Sequence, residues 1–240
     1  MCTVTLAPQP DSPNGFVLTS NRDEAISRHA LLPEYEKYHS RNLYFPKDAQ
    51  AGGTWIGVSD LQRCLCLMNG AFEPHIRKAG YRKSRGIVVK DILAETGKLS
   101  EVLEHYDLKG IEAFTLVAVD WSNGLQFIEL VWDENKKHLQ KLSLKPHIWS
   151  SSPLYDQNMK KSRRQWFQQF REAHELHADM LRDFHLNTEK DNTEYGLIID
   201  RGFLKTQSVS QIISSDQGIR FWFRDLQSGK EQEERLQFKA

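Results

Sequence analysis

Cysteine is scarce. The 240 residues hold three, Cys2, Cys64 and Cys66. An odd, low count in a chain this long is not a disulfide framework and fits a reducing compartment. An excess of one charge is also missing, since Lys plus Arg and Asp plus Glu are both 32. General nucleic-acid binders carry a basic excess, so no nucleic-acid partner is expected. No apolar run approaches the roughly 18 residues that mark a membrane-spanning helix, so no integral membrane segment is expected. The stretch Met1-Cys2-Thr3-Val4-Thr5-Leu6-Ala7-Pro8 has no basic start and no long apolar core, so it does not read as a signal peptide. These absences together predict a soluble, cytoplasmic protein. Repeats, low-complexity segments and composition shifts are lacking too, and residues 1–240 read as one domain.

What is present is an ordinary globular composition, 39% hydrophobic and 27% charged. Residues 2–7 and 16–20 read as strands around the turn Asp11-Ser12-Pro13-Asn14-Gly15, a hairpin. Residues 25–53, polar and interrupted by Pro33 and Pro46, read as a long surface excursion ending at Gly52-Gly53. A second hairpin follows, with strands at 54–58 and 63–68. Apolar residues at helical spacing over 84–106 predict two helices divided at Gly97. Strands are expected at 113–119 and 125–132 around Ser122-Asn123-Gly124. Residues 156–185 carry the longest helical pattern, with Met159, Trp166, Phe167, Phe170, Leu181 and Phe184 on one stripe. Strands at 195–200, 206–214 and 220–225 close the chain. The order of strands, helices, strands, helix and strands predicts an α+β fold of antiparallel sheets with helices outside.

Three groups of residues carry chemistry. Cys2 follows the initiator Met. If Met1 is removed, Cys2 carries both a thiol, with an ordinary pKa of about 8.5, and the free α-amine, at about 7.7–8.0. One residue then supplies a nucleophile and its base. Asn21-Arg22-Asp23-Glu24 ends the second strand and is either a solvated turn or, if the hairpin pairs in register, a carboxyl and a guanidinium returned close to Cys2. Asn69-Gly70 is either a hairpin turn or an oxyanion donor pair. Gly52-Gly53-Thr54-Trp55 is either a tight turn or backbone that approaches a ligand.

Met1-Cys2, Leu18-Thr19-Ser20-Asn21-Arg22-Asp23-Glu24, Gly52-Gly53-Thr54-Trp55-Ile56-Gly57 and Leu67-Met68-Asn69 together resemble the NRDE family, also called transport and Golgi organization 2. That family in turn resembles N-terminal nucleophile hydrolases of the bile salt hydrolase and penicillin V acylase type. The resemblance implies a four-layer αββα sandwich and hydrolysis of a non-peptide amide. It implies Cys2 as nucleophile, Asp23 as the carboxyl that holds the α-amine, and Asn69 as oxyanion donor. Asn21, Arg22, Gly53 and Trp55 are expected at the ligand. Those hydrolases carry an Arg three residues before the Asp, where this chain has Ser20. Their second Asn corresponds to Ser151 or Ser152, and their late Arg to Lys205, so Ser151 and Lys205 are expected to line the site. A small-molecule substrate is implied, with no metal and no cofactor. The alternative on the same fold is a non-catalytic carrier, related to haem or lipid.

Other features read more simply. Cys64 and Cys66 are two apart on a strand and read as small core residues rather than zinc ligands. His174 and His177 read as a solvated or partly buried pair. Lys160-Lys161-Ser162-Arg163-Arg164 reads as a solvated helix face. The six tryptophans read as core or pocket lining.

Overall fold

The computed structural model describes residues 3–238, so Cys2, the expected nucleophile, lies outside the described residues. In chain order the first elements are β1 (Thr3–Pro8), β2 (Phe16–Ala25), β3 (Ala30–Tyr38), β4 (Arg41–Asp48), β5 (Ile56–Ser59) and β6 (Arg63–Asn69). Next come α1 (Arg85–Ala94), α2 (Leu99–His105), β7 (Phe114–Asp120), β8 (Gln126–Trp132), β9 (Lys137–Leu142) and β10 (His147–Ser150). The last are α3 (Gln157–Ala173), α4 (Ala178–Asn187), β11 (Leu204–Ser215), β12 (Gly218–Asp225) and β13 (Glu231–Arg235).

The chain forms two compact units. One takes the chain up to Ala30 together with Lys145–Leu236, and the other takes Leu31–Leu144 together with the chain from Gln237 onward. The first unit is built on a six-stranded sheet in the order β10-β1-β2-β11-β12-β13. Residues two apart on a strand share a face, and Ala7, Val17 and Ile213 line one face of this sheet. Phe167 of α3 and Leu181 and Phe184 of α4 pack on them. The second unit is built on a seven-stranded sheet in the order β3-β4-β5-β6-β7-β8-β9. Its face formed by Phe45, Leu65, Leu67, Leu116 and Leu130 is covered by Val88, Val89, Ile92 and Leu93 of α1 and Leu103 of α2. Cys64 and Cys66 alternate with Leu65 and Leu67, so they sit on the other face, fully buried. Burial pushes the Cys64 thiol well above its ordinary range.

Four expectations needed correction. Residues 25–53 are not a loop excursion, because β3 and β4 occupy them. Pro33 is tolerated because β3 is the edge of its sheet. Pro46 lies beyond the two β4 rows that pair with β5, Leu43↔Ser59 and Tyr44↔Val58. The helical pattern over 156–185 is two helices, α3 and α4, because His174 adopts an extended backbone, φ −141° and ψ 147°. Residues 195–200 form no strand; Asp200 makes a single bridge to Lys205. Arg163, read as part of a solvated face, is completely buried. The division at Gly97, φ +101°, stands as expected.

Gly53 illustrates how tightly the second unit is assembled. A Cβ built there would lie 2.6 Å from the Gly86 carbonyl carbon and 2.8 Å from its Cα, both backbone atoms at the start of α1. Backbone cannot step aside as a side-chain tip can. Gly53→Ala is therefore expected to cost about 2–3 kcal/mol of stability. Gly52, with open space around it but φ +66°, is expected to cost nearer ~1 kcal/mol as alanine. Urea unfolding of the two variants checks the ranking, and equal losses would show that contact with Gly86 is not the cause.

Candidate functional site

The pairing register of the first unit converges on the start of β1. Thr3 is flanked by Ser150 of β10 and Asn21 of β2, and Asn21 is flanked in turn by Val209 of β11. Four strands thus share one row. The next residues outward are Ser151, Arg22 and Ser208, and beyond them Asp23 stands opposite Thr206. The register shifts between Thr206 and Ser208, leaving Gln207 as an extra residue in β11. A bulge of this kind re-aims a side chain. Without it, regular pairing would set Gln207 rather than Thr206 across from Asp23.

Asp23 is buried, and two hydroxyls hold its carboxyl. Thr206 Oγ1 donates to Oδ1 at 2.6 Å and Tyr155 Oη donates to Oδ2 at 2.7 Å. Thr206 is itself oriented, because Oγ1 accepts the backbone N–H of Ile199 at 2.9 Å. Tyr155 sits just before α3, whose N-cap Asp156 accepts from the Met159 N–H at 2.9 Å. Two guanidiniums lie against the Tyr155 ring, Arg163 at 3.6 Å and Arg201 at 5.4 Å from its centroid. A carboxyl fixed by two directed donors cannot rotate freely, so its lone pairs point in set directions.

The other expected residues take varied positions. Arg22 is buried and donates from Nη1 to the Arg28 carbonyl at 2.8 Å. Ser151 is buried directly after β10, and its carbonyl accepts the Tyr155 N–H at 3.2 Å. Asn21 faces the helices. Its Nδ2 donates to the carbonyls of His185 (3.2 Å) and Leu197 (2.5 Å), and its Oδ1 meets His185 Nδ1. Both amide protons are committed, so Asn21 pins α4 to β2 rather than reaching for a ligand. Lys205 stands opposite Glu24 and ion-pairs with Asp200 at 2.8 Å. That pair holds the Asp200 carboxyl below its ordinary range. Strand alternation turns Lys205 away from the face on which Thr206 meets Asp23.

Three expected residues belong to the second unit. Asn69 ends β6 opposite Phe114, half-buried. Gly70 follows with φ +81°, and no strand comes directly after it, so Asn69-Gly70 is not a hairpin turn. Trp55 is buried, and its carbonyl accepts the Leu67 N–H at 2.7 Å. The approach of Gly86 accounts for Gly53 without a ligand.

Tyr155, Thr206 and His185 are not singled out in the sequence, and Arg163 is read there only as part of a solvated face. One signal was available. Arg163 lies four residues from both Met159 and Phe167, inside the apolar stripe of α3 rather than beside it. His185 is fully buried, with Nε2 2.7 Å from Thr5 Oγ1. Desolvation, helped by the charge of Arg163, lowers its pKa to about 3.

Comparison with solved structures gives the fold. A Caenorhabditis elegans N-acylethanolamine-hydrolyzing acid amidase ortholog aligns with a TM-score of 0.61 at 10% identity, covering 88% of this chain and 92% of that one. Conjugated bile acid hydrolase from Clostridium perfringens aligns at 0.56 and 10%, covering 98% and 92%. Penicillin V acylase from Agrobacterium tumefaciens aligns at 0.59 and 8%, covering 98% and 86%. At such identities the likeness establishes the α+β, αββα N-terminal nucleophile hydrolase-like fold and nothing finer. No curated protein matches the sequence. The description "Transport and Golgi organisation 2" matches residues 1–215, and the chain belongs to that family.

Proposed function

We propose that residues 1–240 act as one N-terminal nucleophile hydrolase domain that cleaves a non-peptide amide in the cytoplasm. In this reading, removal of Met1 frees the Cys2 α-amine. The amine takes the thiol proton as sulfur attacks the amide carbonyl, and the C–N bond breaks as the leaving nitrogen receives that proton. Water then hydrolyses the thioester, returning the thiol and releasing a carboxylic acid. Asp23 orients the amine, and Asn69 steadies the oxyanion. Arg22 and Ser151 line the ligand.

One observation carries this reading. Thr3 is one peptide bond from Cys2, and its pairing partner Asn21 is two residues from Asp23, a buried carboxyl held by two hydroxyls. Such fixation serves a group whose direction matters. The test is incubation with an electrophilic acyl probe followed by intact mass. With Met1 shown to be absent, the expected result is one acyl adduct, lost in Cys2→Ala. An unmodified protein under those conditions overturns the reading.

A further inference from the structure

Resting on that reading of Cys2 and Asp23, we propose that Arg163 is a positioning residue. It ties the strand that follows the nucleophile to the carboxyl that serves it.

The observation is a buried cation spending its donors in unusual directions. Within Lys160-Lys161-Ser162-Arg163-Arg164, Arg163 is fully buried while Lys161 and Arg164 face solvent. Its Nε donates to the Tyr195 carbonyl at 3.0 Å, Nη2 to the Gly196 carbonyl and Nη1 to Thr3 Oγ1. Among the described residues it makes no ion pair with a carboxyl. Its Cζ lies over the Tyr155 ring, 3.6 Å from the centroid.

Burying an ion without a counter-ion is costly, and an apolar residue of similar volume would fill the space more favourably. What a guanidinium adds is direction. Its planar fork holds three acceptors at fixed angles while its face lies on an aromatic ring, which lysine cannot reproduce. One acceptor is Thr3, the residue after Cys2. The ring is that of Tyr155, whose hydroxyl donates to Asp23 at 2.7 Å. A cation on the ring face draws electron density from the phenol and makes that hydroxyl a stronger donor. Arg163 therefore touches both ends of the proposed apparatus without contacting substrate.

The test reads the pH midpoint of Cys2 alkylation by iodoacetamide, resolved by peptide mass. Cys64 and Cys66 are fully buried, so the signal separates from theirs. Asp23→Asn sets the scale, and loss of its charge is expected to lower the midpoint by about one pH unit. Tyr155→Phe, which removes no charge, is expected to move it at least a third of the way toward that value, whereas Arg163→Met, which also removes a cation, is expected to raise it, with Arg163→Lys between wild type and Arg163→Met. Wherever amide turnover is measured, kcat should fall in these variants with KM unchanged. If Arg163→Met fails to fold, Tyr155→Phe carries the test, since it removes a single oxygen. A wild-type midpoint in folded Tyr155→Phe, alongside a shifted Asp23→Asn, overturns this inference and leaves the hydrolase reading standing. An unshifted Asp23→Asn overturns both.

Discussion

Lowering the pH from 7 to 4 is expected to remove roughly 3 kcal/mol of folding stability through His185 alone. The hydrogen bonds fix the starting state. Asn21 Nδ2 donates to two carbonyls, so its Oδ1 must accept, and His185 Nδ1 must carry the proton. Nε2 then accepts from the Thr5 hydroxyl. The ring is neutral and satisfied. Charging it means placing a second cation near Arg163 with no water to solvate it, and its pKa in the fold drops to about 3. The unfolded ring protonates near 6.5, so the unfolded state binds the extra proton first. The contribution is therefore fully present above about pH 6.5 and declines by about 1.4 kcal/mol per unit below it, until the folded ring also titrates near 3. His185→Gln keeps a donor and an acceptor but cannot titrate. Urea unfolding at pH 7, 5 and 4 should show the wild-type curve falling more steeply than that of the variant. Parallel curves would mean that His185 is not the group responsible.

Asp23→Asn is expected to lower Cys2-dependent amide turnover by about a thousandfold, within the range that positioned proton-handling groups supply. The change is nearly isosteric, so the effect is one of hydrogen bonding and charge. Asp23 accepts from Thr206 and from Tyr155. Asparagine offers one acceptor oxygen, and its NH2 must then face one of those hydroxyls. Thr206 Oγ1 already accepts from the Ile199 N–H, so turning the amide toward it crowds donors together. A buried hydroxyl left without its acceptor costs about 1–3 kcal/mol. The amine of Cys2 would also lose its negative partner. Kinetics and thermal unfolding of the same variant separate the two effects. Turnover within tenfold of wild type in a folded Asp23→Asn would remove Asp23 from the proposed mechanism.

The parts of the fold that could be read from the sequence are those in which burial is one-sided and local. β1, β2, β5 to β8, β11 and β12 show the runs or alternation of half-buried or buried strands, and Gly97 divides two helices visibly. β3, β9 and β13 were not read because they are charge-rich edges. Edge strands carry lysine and glutamate to discourage further pairing, and so resemble loops in composition. The break between α3 and α4 was hidden because the apolar stripe continues in register across His174. At the candidate site, Asp23 was accessible because its block is contiguous. Its partners were not: Tyr155 and Thr206 are 132 and 183 residues away. Thr206 depends further on a bulge, and strand composition alone does not reveal where an extra residue falls. Lys205 stood out for its charge, but the adjacent hydroxyl is the group that meets the carboxyl.

The row through Thr3 also imposes an order of events during synthesis. Its members come from β1, β2, β10 and β11, and Leu31–Leu144 of the second unit is encoded between β2 and β10. At roughly 5–20 residues per second, on the order of ten to forty seconds separate translation of β1 from that of β11. For most of that interval β1 has β2 beside it but lacks β10 and the arginine that will later clasp it, and β2 lacks β11 throughout. The buried row through Thr3 therefore closes late, after most of the chain has been made, although its first two strands are neighbours in sequence.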